Sequence, residues 1–128
     1  MSELRVIIAG GRDFENYELL EEQVVDIVGK EKLPDEEVIV VSGNCRGADR
    51  LGEVWAARNK LKIKQFPADW DNLGKRAGYV RNDQMAKFAR ADDNRGILIA
   101  FWDGESKGTK HMIDLAMKQC LKVYVIGY

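Results

Sequence analysis

The chain of 128 residues has almost no excess charge of either sign: 20 Lys and Arg stand against 21 Asp and Glu, a formal net charge of -1. Composition therefore supplies no general field for a polyanion. A nucleic-acid role would rest on a local basic patch, and no run in the sequence provides one. Cysteine is scarce as well. Cys45 and Cys120 are the only two, far apart, and they make neither a CxxC pair nor a disulfide framework. No set of Cys, His and carboxylate residues has zinc-ligand spacing, so no metal is expected. No apolar stretch approaches the roughly 20 residues that cross a bilayer. The first residues run directly into a strand-like segment without a signal-peptide pattern. The expectation is a reducing cytoplasmic setting with no membrane partner. Repeats, low-complexity segments and linkers are also missing, so one domain over residues 1–128 is expected.

What is present is a regular alternation. Five short runs rich in Val and Ile recur at residues 4–9, 38–41, 61–66, 96–101 and 121–126. Each is nearly continuous in hydrophobicity, the pattern of parallel strands buried on both faces. Between them lie stretches at helical spacing: Leu19, Leu20, Val24, Ile27 and Val28 form one apolar stripe, and Leu51, Val54, Trp55 and Arg58 suggest a second helix. Val80, Met85, Phe88 and Ala89 form a third stripe, and Met112, Ile113, Leu115, Ala116 and Cys120 a fourth. Strand and helix alternating in this way predict βαβ crossovers and a three-layer α/β sandwich. The expected sheet is parallel and five-stranded, in the order 3-2-1-4-5. Ligands on such sheets lie at the carboxyl ends of the strands, where the order reverses.

Three loops on that edge carry glycine. "AGGRDF" follows the first run, with Gly10 and Gly11 permitting close backbone approach and Arg12 offering a planar fork for phosphate or carboxylate. "SGNCRGAD" follows the second, with Ser42, Gly43, Arg46 and Gly47 leading into a helix whose free N–H groups suit an anion. Asp49 has two readings there, a helix-start residue satisfying backbone donors or a ligand contact. "FWDGESKGTKHM" follows the fourth, with Gly104, Ser106, Gly108 and Thr109 ahead of a strongly patterned helix. Neither a Walker A motif nor GxGxxG occurs, which argues against a P-loop NTPase and a standard dinucleotide dehydrogenase.

Taken together these segments resemble known proteins. "VVSGNCRGADRLGEVWA" resembles the SG-x-A-x-G-x-D loop and helix of the bacterial DNA-processing family Smf/DprA. "GYVRNDQMA" and "DGESKGTKHMIDLA" are similar to the RK-x-x-M and GG-x-GT-x-x-E segments of the Lonely guy phosphoribohydrolases, which release a base from a nucleoside monophosphate. Both families belong to the SLOG superfamily of Rossmann-like nucleotide-binding domains. The opening "IIAGGRDF" is most similar to its small stand-alone YspA- or YpsA-related branch. The resemblance implies a pocket for a nucleotide-like ligand, without a further cofactor, and a homo-oligomer, a dimer first. Gly10, Gly11 and Arg12 would line this pocket, with Ser42, Gly43, Gly47 and Asp49. It adds Arg81 and Asn82 from the third crossover, and Gly104, Ser106, Gly108 and Thr109. Thr109 would bind phosphate at the positive end of its helix. Arg81 would pair with phosphate or a sugar-linked leaving group.

One departure bears on catalysis. The phosphoribohydrolases have Glu three positions after the Thr, where this chain has Met112. A thioether neither stabilises an oxocarbenium-like centre nor takes a proton. Arg81, Asp13, Asp103 and Glu105 are then the catalytic candidates. His111 reads as a general acid–base or as a surface residue at a helix start, and Cys45 as its nucleophilic partner or as a bystander. Trp70, Trp102, Tyr79 and Phe14 are candidates for stacking on a base or for core-edge packing. Residues 68–82 form a long third loop, a candidate lid with Lys75 and Arg76 for an anionic ligand. Three functions follow: a nucleotide-binding or sensing domain, an N-glycosidic hydrolase, and a single-strand nucleic-acid binder, the last disfavoured by charge.

Overall fold

The structure, a computed structural model, describes residues 2–92 and 94–128. Five parallel strands form one sheet: β1 (Ser2–Gly10), β2 (Glu36–Ser42), β3 (Lys62–Gln65), β4 (Arg95–Trp102) and β5 (Lys122–Gly127). Their order is β3-β2-β1-β4-β5, as the sequence leads one to expect. The helices are α1 (Tyr17–Glu31), α2 (Ala48–Arg58), α3 (Trp70–Leu73), α4 (Ala77–Arg90) and α5 (Lys107–Lys118), with a short 3-10 turn (Gly74–Arg76) before α4. Among the described residues no helix is long and apolar enough to cross a membrane.

Alternation along β1 builds a core on each face, because successive side chains of a strand point to opposite sides. Leu4, Val6 and Ile8 pack with Leu20, Val24 and Ile27 of α1 and with Trp55 and Ala56 of α2. Ile7 and Ala9 pack on the other face with Met85, Ala86 and Ala89 of α4 and with Met112, Ile113 and Ala116 of α5. Burial on both faces holds for the three central strands but not for the edges, which corrects the sequence reading. Every residue of β3 is exposed, with Lys62 and Lys64 alternating around Ile63. In β5 Val125 is half exposed. An edge strand has a partner on one side only, and lysines there discourage pairing with another chain.

The far end of the sheet is fastened by a buried arginine. Arg5 is 7% exposed; its Nε meets Glu3 at 2.9 Å, and its Nη1 donates to the carbonyl of Phe88 at 2.5 Å. Its guanidinium also lies 3.9 Å from the Phe88 ring centroid, so β1 is tied to the last turn of α4. Arg5→Ala strips these partners from groups that stay partly buried. It is expected to cost about 2–4 kcal/mol of stability, read from the urea unfolding midpoint.

The register brings the carboxyl ends of β1, β2 and β4 to one edge. Gly10 pairs with Phe101, and Ser42 lies opposite Gln65 at the end of β2. The order reverses between β1 and β4, so the crevice expected at a switch point lies above Gly10.

Candidate functional site

The first two glycine loops lock together before any ligand is considered. The Gly11 carbonyl accepts the N–H groups of Phe14 and of Ala48, each at 3.2 Å, while the Gly11 N–H donates to the Phe101 carbonyl. Gly47 caps α2 at φ 86° and ψ -134°, and a Cβ there would lie 2.7 Å from the Arg12 Cα. Only glycine takes that conformation in that space. A Cβ on Gly10 would likewise lie 2.9 Å from the Ala48 Cβ, so the loop after β1 sits directly on the start of α2. Arg12 and Asp13 then project outward. The Arg12 guanidinium lies 5.7 Å from the Trp70 ring centroid. Asp13 accepts a hydrogen bond from the Tyr128 hydroxyl at 2.7 Å. Burial, with the Asp13 carboxylate beside it, pushes the Tyr128 phenol up to about 12.

In the second loop the side chains divide between the interior and the crevice. Ser42 is fully buried; its hydroxyl donates to Glu53 at 2.6 Å and accepts the Asn44 N–H at 3.1 Å. Asp49 turns back to accept the Cys45 N–H at 3.3 Å. Its carboxyl is pushed up to about 6 by burial, against the opposing pull of the Arg81 charge. Arg81, one turn into α4, donates from Nη1 to the Gly43 carbonyl at 2.6 Å and from Nε to Asn82 at 2.9 Å. Gly43 leaves room for both groups, since a Cβ there would lie 2.6 Å from Arg81 Nη1 and 2.7 Å from Asp49 Oδ2. Asn82 reaches the other way, donating to the Gly108 carbonyl at 3.3 Å. The Arg81–Asn82 pair thus joins the second loop to α5.

The third glycine loop is partly occupied by its own residues. Asp103 accepts the N–H groups of Glu105 and Ser106, both at 2.8 Å, and these bonds hold its carboxyl below the usual carboxylate range. Ser106 caps α5 by accepting the Thr109 N–H at 3.4 Å and lies 3.2 Å from the Thr109 hydroxyl. Three amides of the expected anion cradle are therefore already paired. Those of Lys107 and Gly108 fall outside these bonds, as the first amides of a helix do.

The elements enclose a cavity of about 490 Å³. Its floor includes Gly10, Gly11, Asp49 and Met112, and the cations on its walls are Arg12, Arg46, Lys75 and Arg81. Asn82, Ser106, Gly108 and Thr109 close one side, beside Asp13, Asp103 and Cys45. Trp70 and Tyr79 also line it, so Trp70, 46% exposed, does not follow the core-edge reading. Ser42, Gly43 and Gly47 lie beneath the cavity as its support rather than in its wall. Gly104 and Glu105 lie outside it and exposed. Phe14 packs in the core against Phe101 and Tyr128. The Trp102 indole N–H is spent on the Ser106 carbonyl. His111 packs edge-on against Tyr79 and contacts Asn82, and burial lowers its pKa. Cys45 meets Arg81 instead, so the Cys–His pair engages two different partners. Among the described residues no group of three His, Cys, Asp or Glu side chains is arranged to hold a metal. Tyr128 is the contact the sequence gives no sign of, because 115 positions separate it from Asp13.

Asp49 makes the site sensitive to pH. Its folded pKa lies above the ordinary value of 3.8, so between roughly pH 4 and pH 6 the folded state holds more protons than the unfolded chain. Its contribution to stability is then largest at low pH and is lost as the pH rises through about 6, by roughly 2–3 kcal/mol. Glu31, lowered by Lys122 and Tyr124, acts in the opposite sense, so the difference between wild type and Asp49→Asn is the readout. In urea unfolding across this window, Asp49→Asn is expected to gain relative stability as the pH rises.

Comparison with known proteins finds a family and a relative. The family model described as YspA, cpYpsA-related SLOG family (YAcAr) matches residues 4–72, which span the first two glycine loops. The Gene 61 protein of Mycobacterium phage D29 is 30% identical over 128 residues, with 96% of this chain and 96% of that protein covered. No solved structure matches.

Proposed function

The chain belongs to the YAcAr family of YspA and cpYpsA-related SLOG domains, and from that premise we propose that it binds a nucleotide or a phosphorylated nucleotide derivative at the carboxyl edge of its sheet, as a binding or sensing domain. The observation that carries this reading is the composition of one cavity. Arg12, Arg46, Lys75 and Arg81 face the same space as Trp70 and Tyr79. Cations of this kind hold phosphate by charge-assisted hydrogen bonds, and an aromatic face stacks on a base for about 1–3 kcal/mol. Four cations against the three carboxylates of Asp13, Asp49 and Asp103 leave the lining with an excess positive charge of one when all are ionised.

The carboxylates support binding over hydrolysis. Met112, 1% exposed, stands where the related hydrolases have their acid. Asp13 is engaged by Tyr128, Asp103 by two backbone amides, and Glu105 lies outside the cavity. One observation favours a second reading. Asp49 lies on the floor with its carboxyl pushed up to about 6, where a group exchanges protons near neutral pH as acid–base catalysis requires. Incubation with a panel of nucleoside monophosphates, followed by chromatography for free base, separates the two. The binding reading expects no base above a no-protein control. Base release that disappears in Asp49→Asn would replace it with N-glycosidic hydrolysis.

A further inference from the structure

The cavity does not end at the Arg12–Trp70 pair. Beyond it a second, shallower chamber is bounded by Arg12, Asn44, Cys45, Arg46 and Trp70, and only Asn44 of these does not also line the first. The chambers differ in charge. The inner one sets Asp13, Asp49 and Asp103 among its cations, whereas the outer one has Arg12 and Arg46 and no carboxylate in its lining. Among the described residues neither arginine takes part in a salt bridge or a side-chain hydrogen bond, and both are exposed. A guanidinium carries five donors in a planar fork, more than a single phosphate engages. Two such forks bordering both chambers are matched to anionic groups on either side of the Arg12–Trp70 sill.

We infer that the ligand is a nucleotide whose phosphate bears a further anionic arm, a second phosphate or a pyrophosphate-linked group. The base and first phosphate occupy the inner chamber, and the arm crosses the sill between Arg12 and Trp70 into the outer one. This rests on the nucleotide reading above and narrows its ligand class. Asn44 gives a probe of the outer chamber alone. It holds φ 58°, a left-handed conformation that Asp and Gly both accept, so neither substitution imposes new backbone strain.

The test is calorimetric titration of the full chain with a matched series on one base: the nucleoside monophosphate, the diphosphate and a pyrophosphate-linked nucleotide sugar. Thermal melting first establishes that Asn44→Asp and Asn44→Gly are folded. The arm-bearing ligands are expected to bind wild type about tenfold more tightly than the monophosphate. Asn44→Asp is expected to weaken them about tenfold by placing a like charge beside the arm. The monophosphate is expected to stay within about twofold in both variants, its phosphate lying farther away and screened. Equal affinity for monophosphate and diphosphate overturns the inference and leaves the nucleotide reading standing. No binding by any member overturns both. Tighter, strongly salt-dependent binding of a single-stranded oligonucleotide overturns it in favour of a strand as occupant.

Discussion

Gly47→Ala is expected to cost the protein on the order of 4 kcal/mol, a large part of the stability of a domain this size. Two independent penalties combine. The backbone at φ 86° and ψ -134° lies where a side chain is strained by about 1–3 kcal/mol. A Cβ there also meets only backbone, with the Arg12 Cα at 2.7 Å and the Gly11 carbonyl closer still. Backbone held in the strand-to-helix turn cannot swing aside as the end of a long side chain can. Gly104→Ala is the control, because Gly104 has a similar φ of 85° but nothing within 4 Å of its Cβ position. Its expected cost is about 1–2 kcal/mol, the strain alone. Urea unfolding of both variants checks the difference. Equal costs would show that the docking of the first loop on the second contributes nothing.

Arg81→Ala is expected to have the largest effect on binding. The residue is 8% exposed and lines the cavity, yet two of its three guanidinium nitrogens are spent on protein partners. Removing it withdraws the buried cation from the wall and leaves the Gly43 carbonyl without its donor. It also removes the strongest of the influences that oppose burial at the Asp49 carboxyl, leaving only the Cys45 and Gly10 amides, so the Asp49 pKa rises further. Loss of one buried charged contact at the centre of a site costs on the order of 3 kcal/mol, about a hundredfold in nucleotide affinity. Arg81→Lys is expected to recover only part of this, because an ammonium does not reproduce the fork that spans Gly43 and Asn82. Calorimetry gives the affinities, and carboxyl NMR titration gives Asp49. An unchanged Asp49 pKa in Arg81→Ala would contradict the electrostatic link between them.

How far the sequence leads depends on the range of the interaction. Runs 4–9, 38–41 and 96–101 became the three central strands because continuous hydrophobicity reports burial on both faces. The same cue misled at Lys62–Gln65 and Lys122–Gly127, since hydrophobic runs do not reveal which strand has only one neighbour. Glycine positions after strands mark the edge of the sheet along which the cavity lies. They did not distinguish Gly10 and Gly11, in the cavity floor, from Gly43 and Gly47, which support it from below. That division is set by contacts with Arg81, Asp49 and Arg12 in three dimensions. The Ser42 hydroxyl is spent on Glu53 of α2, and Asp103 folds back on amides of its own loop. Hydroxyl and carboxylate groups near a glycine read as ligand contacts until their own hydrogen bonds are known. The Tyr128–Asp13 bond joins opposite ends of the sequence, where no local pattern exists to read.

In the proposed function, one cavity built from three strand ends holds a phosphorylated nucleotide against Arg81. Equilibrium titration of wild type and Arg81→Ala with the same nucleotide series tests it most directly. Binding to wild type is expected to saturate at one site per chain and to weaken about a hundredfold in Arg81→Ala while the variant retains its fold. Equal affinity of the two proteins, or no saturation of wild type by any nucleotide, would contradict it.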